Sequence, residues 1–466
     1  MWTVCGLGQL LVLLLLPMGG ISMLDTVVRL NQAALSYVSE IGKAPLQRAL
    51  QVTLPYFLDQ SGEVLQPTRV QMLKVHVARL HLNFIPDFGV HFLAAATFNF
   101  EVFRNPEQPL VVTMPVVLLA DVQVAQGTIQ TPVVSIPACY SFFGNVSMAA
   151  PGSNSASPAL LVRLQKHIKA VLSTKLCLSI ANLVQGLNVH LGTLIGLNPV
   201  GPESQIRYSM ANMPTITNDY ISLDVNAMFF LLAKPIVLPV DSTHFMVPRQ
   251  VGTKGAMATV GLSQDLFDSA LLLLHKAGSL NLDITGQPNS DDNPLNTSTL
   301  GQLIPEVARQ FPEPMPVVLK VRLGATPIAT LRANNATLRL QPFIEVLAMA
   351  SNSACQSLFS LDVVVNLSLQ LFVSGVRLQG TTSVLGDVQL TVASSNVGSI
   401  DVDHVHTLMG TVLEKPLLDH FNALLGIGVP LPNVVNLRYT SSKVFIYEGY
   451  AVVSSGLLYQ QGHSGD

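Results

Sequence analysis

Two hydrophobic periods alternate along this chain, and they leave few folds open. From about Leu65 to Ile136 apolar residues tend to recur at every second position. "MLKVHVARLHLNF", "AAATFNFEVF" and "QPLVVTMPVVLLADVQV" read as long antiparallel strands punctuated by Pro and Gly. In the first run, Leu73, Val75 and Val77 are expected on one side, with Lys74, His76 and Arg79 partly opposite. The period then changes to three and four. Leu161, Leu164, Ile168, Leu172, Leu176, Ile180, Leu183 and Leu187 form one stripe of a long helix, after the polar loop "APGSNSASPA".

The same order appears twice. Before the first strands, Val27, Leu30, Ala34, Val38 and Ile41 recur at helical spacing until Gly42 and Pro45 interrupt them. A Pro-rich stretch, "KPIVLPVDSTHFMVP", reads as a linker. Beyond it, "GLSQDLFDSALLLLHKAG" is a helix with Ser263 as N-cap. Strand-like runs follow, then a helix disturbed at Pro416, and a final strand. Each half is helix, strands, helix, with no obvious sequence identity between them. The boundaries read as 23–232 for the first domain, 233–252 for the linker and 253–466 for the second.

Composition sharpens the expectation. Of 466 residues, 49% are hydrophobic and only 11% charged, and mean hydropathy is +0.45. A typical soluble domain carries about 25% charged residues. Yet no run reads as a transmembrane segment, which needs about 20 consecutive apolar residues. A large apolar interior or apolar cavity is the remaining explanation, and it points to a carrier of lipid. Each buried methylene contributes about 0.8 kcal/mol, so burial of an acyl chain can drive binding. The formal net charge of -3 gives no clustered basic footprint, so no nucleic-acid partner is expected.

Residues 1–22 have the Leu-rich core and small-residue end of a cleaved signal peptide, so a secreted, extracellular glycoprotein is expected. Sequons at Asn145, Asn296, Asn335 and Asn366 agree. Cys139, Cys177 and Cys355 remain after cleavage. One pair and one leftover thiol are expected in an oxidising compartment, and spacing does not choose the pair. The leftover reads as a buried thiol in preference to an intermolecular link.

No nucleophile elbow, zinc-protease helix, phosphate loop or dinucleotide fingerprint occurs, so no enzyme and no cofactor are expected. Asp401, Asp403, His404 and His406 form the densest ligand-type cluster. Alternation on a strand would split carboxylates from imidazoles, so it reads as a polar segment before a helix, not a metal site. Arg163, Lys166, His167 and Lys169 read as a solvated face of the long helix.

Several segments in order resemble one family. "VVRLNQAALSYVSEIGKAPLQRAL" is similar to the opening helix of the bactericidal/permeability-increasing protein, lipopolysaccharide-binding protein and lipid-transfer family. "ATVGLSQDLFDSALLLLHKAGSLNLDI" resembles the start of its second domain. "LGQLIPEVARQFPEPMPVVLKVRLGATP" and "VPLPNVVNLRYTSSKVFIYEGYAVV" resemble later parts. The resemblance implies an α+β boomerang of two similar domains. Each would be a twisted antiparallel sheet wrapped around a long helix, and a central sheet would join them. It implies a Cys139–Cys177 disulfide. It also implies two apolar pockets for phospholipid or another amphipathic lipid, walled by Leu30, Ala34, Tyr37, Val38 and Ile41 in the first half and by Leu271 and Leu274 in the second.

A place in mucosal innate defence follows from the same resemblance, with capture of endotoxin (lipopolysaccharide) or surfactant-like interfacial action as alternatives. The endotoxin-killing relatives carry clustered cations after the first helix. Here "LQRALQVTLPYF" has Arg48 as its only charge, and the tip hairpin carries Glu101, Arg104 and Glu107. Lipid A phosphates are bound by paired Lys and Arg, so strong endotoxin capture is not expected.

Overall fold

The computed structural model describes residues 25–58, 67–103, 110–149, 158–237, 245–249, 251–285, 295–350, 354–412 and 414–460. The expected signal peptide lies outside these residues, as do Arg104 and Glu107 of the tip hairpin. Three antiparallel sheets organise the described chain. The N-terminal sheet runs in sequence order through Phe57–Leu58, Pro67–Ile85, Gly89–Phe103, Leu110–Gln126 and Pro132–Phe143, with Ser147–Ala149 paired to Leu110–Gln126. The C-terminal sheet is built around the long strand Cys355–Ser374, which pairs with four others.

The third sheet lies between the halves and takes strands from both. Its order is Leu437–Tyr447, Tyr450–Tyr459, Ala258–Ser263, Thr26–Asn31, Tyr220–Leu231, Ser204–Met210 and Asn198–Gly201. The eight α-helices among the described residues are α1 (Gln32–Ile41), α2 (Lys43–Ala49), α3 (Pro158–Leu191), α4 (Gln264–Lys276), α5 (Thr297–Leu303), α6 (Pro305–Gln310), α7 (Val402–Val412) and α8 (Glu414–Ile427). The fold is α+β, two curled sheets with helices on either side of a shared sheet.

At the middle of that sheet, Thr26–Asn31 pairs with Ala258–Ser263, and Val28 stands opposite Val260. Each strand leads directly into a helix, at Gln32 and at Gln264. The junctions read Val-Arg-Leu-Asn-Gln (28–32) and Val-Gly-Leu-Ser-Gln (260–264). The halves therefore do share sequence at their equivalent junctions, related by an approximate two-fold through the valine pair. The two glutamines do the same work: Gln32 donates to the Leu82 carbonyl of the N-terminal sheet, and Gln264 donates to the Ala329 carbonyl of the C-terminal sheet.

This pairing corrects the reading of the opening segment. Val27 and Leu30 lie on a strand, and the helix begins at Gln32. A three-residue apolar spacing suits either state, and tertiary pairing on both edges decides for the strand. Gly42 separates α1 from α2, and Pro45 sits in the first turn of α2, where its missing N–H costs nothing. Similarly, the break expected at Pro416 falls upstream, because Pro416 occupies the first turn of α8.

The strand Pro67–Ile85 carries two bulges, at Met72/Lys74 and Val77/Arg79. The first shifts the alternation by one residue. Val75 and Val77 are buried at 0% and 3%, whereas Leu73 points outward and is 47% exposed.

The stripe of α3 explains why a curled sheet is needed. Leu164, Ile168, Leu172, Leu176, Ile180 and Val184 are all buried at strict four-residue intervals. At about 100° per residue, each step drifts by about 40°, so the buried line rotates by about 200° over the helix. A sheet covering that line must twist around the helix. Leu187, the expected end of the stripe, is exposed. Another expectation also fails: Val162–Ile195 is long and apolar enough to cross a membrane by length and composition. Its buried line packs into the N-terminal core.

The halves share a core as well as a sheet. Leu194, Ile206 and Phe229 from the first half pack with Leu378, Leu431 and Tyr439 from the second. The buried Tyr208 hydroxyl donates to the Pro430 carbonyl at 2.6 Å. Cys139 and Cys177 form a disulfide between the strand Pro132–Phe143 and α3. Cys355 is free and exposed, not buried, because it opens the long strand Cys355–Ser374 at a sheet end.

Candidate functional site: an apolar cavity in the C-terminal half

A cavity of about 650 Å³ lies between the C-terminal sheet and helices α7 and α8. Its size falls within the roughly 300–1,000 Å³ of sites for small molecules. The floor comes from strand alternation: Val363, Val365 and Leu367 of Cys355–Ser374 face inward beside Leu340. The helical wall is Leu417, Leu418 and Phe421, one face of α8. The segment around the turn between the strands Arg377–Val384 and Gln389–Ser395 adds Val384, Val388 and Leu390. Gly386 and Gly410 also line it, and Asp387, Gln389, His406 and Glu414 add polar groups, all four exposed. Among the described residues, no Lys or Arg lines this cavity. The arrangement takes an apolar body inward and leaves polar groups at the exposed side.

The residues expected to hold lipid are distributed differently. Leu271 is buried in the same core as the cavity floor, and Leu274 packs against that core; neither lines the cavity. In the first half, Ala34 is buried in the shared core and Leu30 packs against it. The Tyr37 hydroxyl accepts the Tyr459 N–H at 3.0 Å, tying α1 to the last strand of the chain. Val38 and Ile41 are 44% and 37% exposed on α1. Sequence reasoning expected a pocket in this half but assigned to it none of the residues that line the cavity. Its signal was the inward alternation Val363, Val365, Leu367 together with the i,i+4 pair Leu417 and Phe421.

The Asp401–His406 cluster straddles the start of α7, with the Asp401 carboxylate accepting the Asp403 N–H at 3.1 Å. His406 faces the cavity. Asn366 lies on the same strand as the floor but between inward positions, so its sequon faces away from the cavity. Asn145 and Asn335 are exposed, and Asn296 caps α5 by accepting the Thr299 N–H at 2.7 Å.

The fold and cavity together define a two-domain, pocket-bearing protein built from curled sheets. The solved structure of a lipopolysaccharide binding protein has the same fold, with a TM-score of 0.57, 20% identity, and coverage of 94% of this chain and 99% of that one. The N-terminal domain model of the LBP / BPI / CETP family matches residues 34–192, and the C-terminal domain model matches 201–459. The chain is 75% identical over 97% of its length to human BPI fold-containing family B member 2, covering 98% of that protein. It is 64% identical to the mouse protein of that name, over 93% of this chain and 94% of the relative. The chain belongs to the LBP / BPI / CETP family.

Proposed function

We propose that this protein is a secreted carrier of phospholipid-like lipid that holds an acyl chain in the C-terminal cavity. The observation that carries the reading is the inward row Val363, Val365 and Leu367 facing Leu417 and Phe421 across about 650 Å³. A dozen methylenes buried there would contribute about 10 kcal/mol, of the same order as the roughly 4–15 kcal/mol that association costs. The exposed Asp387 and Glu414 suit a zwitterionic or neutral headgroup better than the phosphates of endotoxin. A second site in the first half would use Val38 and Ile41, with Leu30, Ala34 and Tyr37 holding α1 in place. Leu271 and Leu274 would support the cavity from behind, within the C-terminal core.

The test is uptake of a phospholipid with a fluorescent acyl chain, followed as emission at rising salt. The proposal expects saturable uptake that changes little with salt. Absence of uptake contradicts the carrier reading, and uptake only of lipopolysaccharide, abolished by salt, replaces it with the endotoxin reading.

A further inference from the structure

Among the described residues, the outer face of the N-terminal sheet combines features that the core does not use. Residues directly opposite in an antiparallel pair share a face, so the registers define rows across four strands. One row runs Arg79, Ala95, Val117, Phe142. The next runs His81, Leu93, Leu119, Tyr140. Between them Leu80, Ala94 and Leu118 are buried, as are Val77, Ala96 and Val116 on the far side of the first row, so these rows point away from the core. Tyr140 is 61% exposed, Phe142 55% and Val117 37%.

The charges on this face are sorted by strand. Pro67–Ile85 has Arg69, Lys74 and Arg79, with His76 and His81, and contains no carboxylate. All five are exposed. Pro132–Phe143, at the other side of the rows, has no charged residue and supplies the two aromatics. Two carboxylates share the face at its ends. Asp121 is held 2.7 Å from His91, and Glu101 lies across from Gln71. A basic column and an aromatic column therefore flank an aliphatic strip on the outer face of one curled sheet.

That pairing matches the edge of an anionic bilayer. Tyr rings settle at the headgroup level, Phe enters the headgroup and acyl boundary, and each Lys or Arg near an anionic surface adds about 1 kcal/mol. We infer that this face docks the protein on anionic membrane surfaces, with Tyr140, Phe142 and Val117 entering the interface and Lys74 and Arg79 meeting lipid phosphates. The surface is separate from the C-terminal cavity, so docking and lipid uptake are independent properties.

Co-sedimentation of the full-length protein with phosphatidylcholine vesicles, with and without phosphatidylserine, tests the inference. Tyr140→Ser/Phe142→Ser and Lys74→Gln/Arg79→Gln are compared with the wild type, with unfolding midpoints as the check on folding. The expected result is binding to phosphatidylserine vesicles that weakens with salt. Each double variant should lose roughly tenfold or more in affinity. Failure of the wild type to bind phosphatidylserine vesicles overturns the inference. So does wild-type affinity in either folded variant.

Discussion

The Arg29 guanidinium donates to the Val247 carbonyl at 2.9 Å, across a separation of more than 200 residues, and to the Pro248 carbonyl at 2.8 Å. Arg29 also stacks on Tyr220, 4.4 Å from the ring centroid. Residues 245–248 of the stretch between the two halves are thereby pinned onto the shared sheet, with Phe245 and Val247 buried against Val27. Gly261, the equivalent of Arg29 on the partner strand, leaves the space that Val247 fills: a Cβ there would lie 2.3 Å from a Val247 methyl. Arg29→Gln should lower stability by about 2–4 kcal/mol, since buried carbonyls lose charged donors. Urea unfolding measures it, and an unchanged midpoint contradicts the pin.

Asp25, at the mouth of the first strand, is 6% exposed and one of its carboxylate oxygens has no partner. Burial pushes its pKa up to about 7, opposed by the Ala227 backbone hydrogen bond and aided by Asp265. The folded state therefore holds a proton that the unfolded chain releases near pH 4. The stabilising contribution of this proton is complete below about pH 4 and is lost as pH rises through about 7. The difference is on the order of 4 kcal/mol. Denaturant midpoints at pH 5 and pH 8 should fall with pH in the wild type, and Asp25→Asn should remove that part of the slope.

Cys139 and Cys177 are separated by 38 residues. Closing a loop of that length stabilises the fold by roughly 3–4 kcal/mol in the chain-entropy account. The Cys139→Ser/Cys177→Ser variant should unfold at correspondingly lower urea. Non-reduced peptide mapping after native alkylation should label Cys355 and leave the other two linked. Protection of Cys355 would contradict its exposed position.

Much of this was legible in the sequence. The two periods gave the α+β class, and the order of elements gave the two halves. What escaped was whatever depends on contacts between distant segments. Leu73 changed sides because of a bulge that alternation alone does not reveal. Leu30 sat on a strand because two neighbours pair with it. The α3 segment hid its membrane-like length behind scattered Arg and Lys, and its core line spirals instead of keeping one face. The cavity unites Leu340, Val365 and Phe421, which no local pattern connects. The lipid residues expected on α1 and α4 belong to recurring apolar stripes, and such stripes serve a core and a pocket equally well.

Val384 stands half-buried at the cavity's edge. Val384→Trp should fill the cavity without overpacking the sheet behind it. Fluorescent phospholipid uptake should fall by roughly tenfold or more while the unfolding midpoint stays within about 1 kcal/mol of wild type. Unchanged uptake would place the acyl chain elsewhere.

Lipid held in the C-terminal cavity should leave the cell with the protein. Native mass spectrometry of the protein recovered from secreting cells, followed by organic extraction, tests it most directly. The expected result is a mass excess that disappears on extraction, recovery of phospholipid-like molecules, and less of both in Val384→Trp. A wild-type protein that flies at its glycoprotein mass and yields no lipid would contradict it.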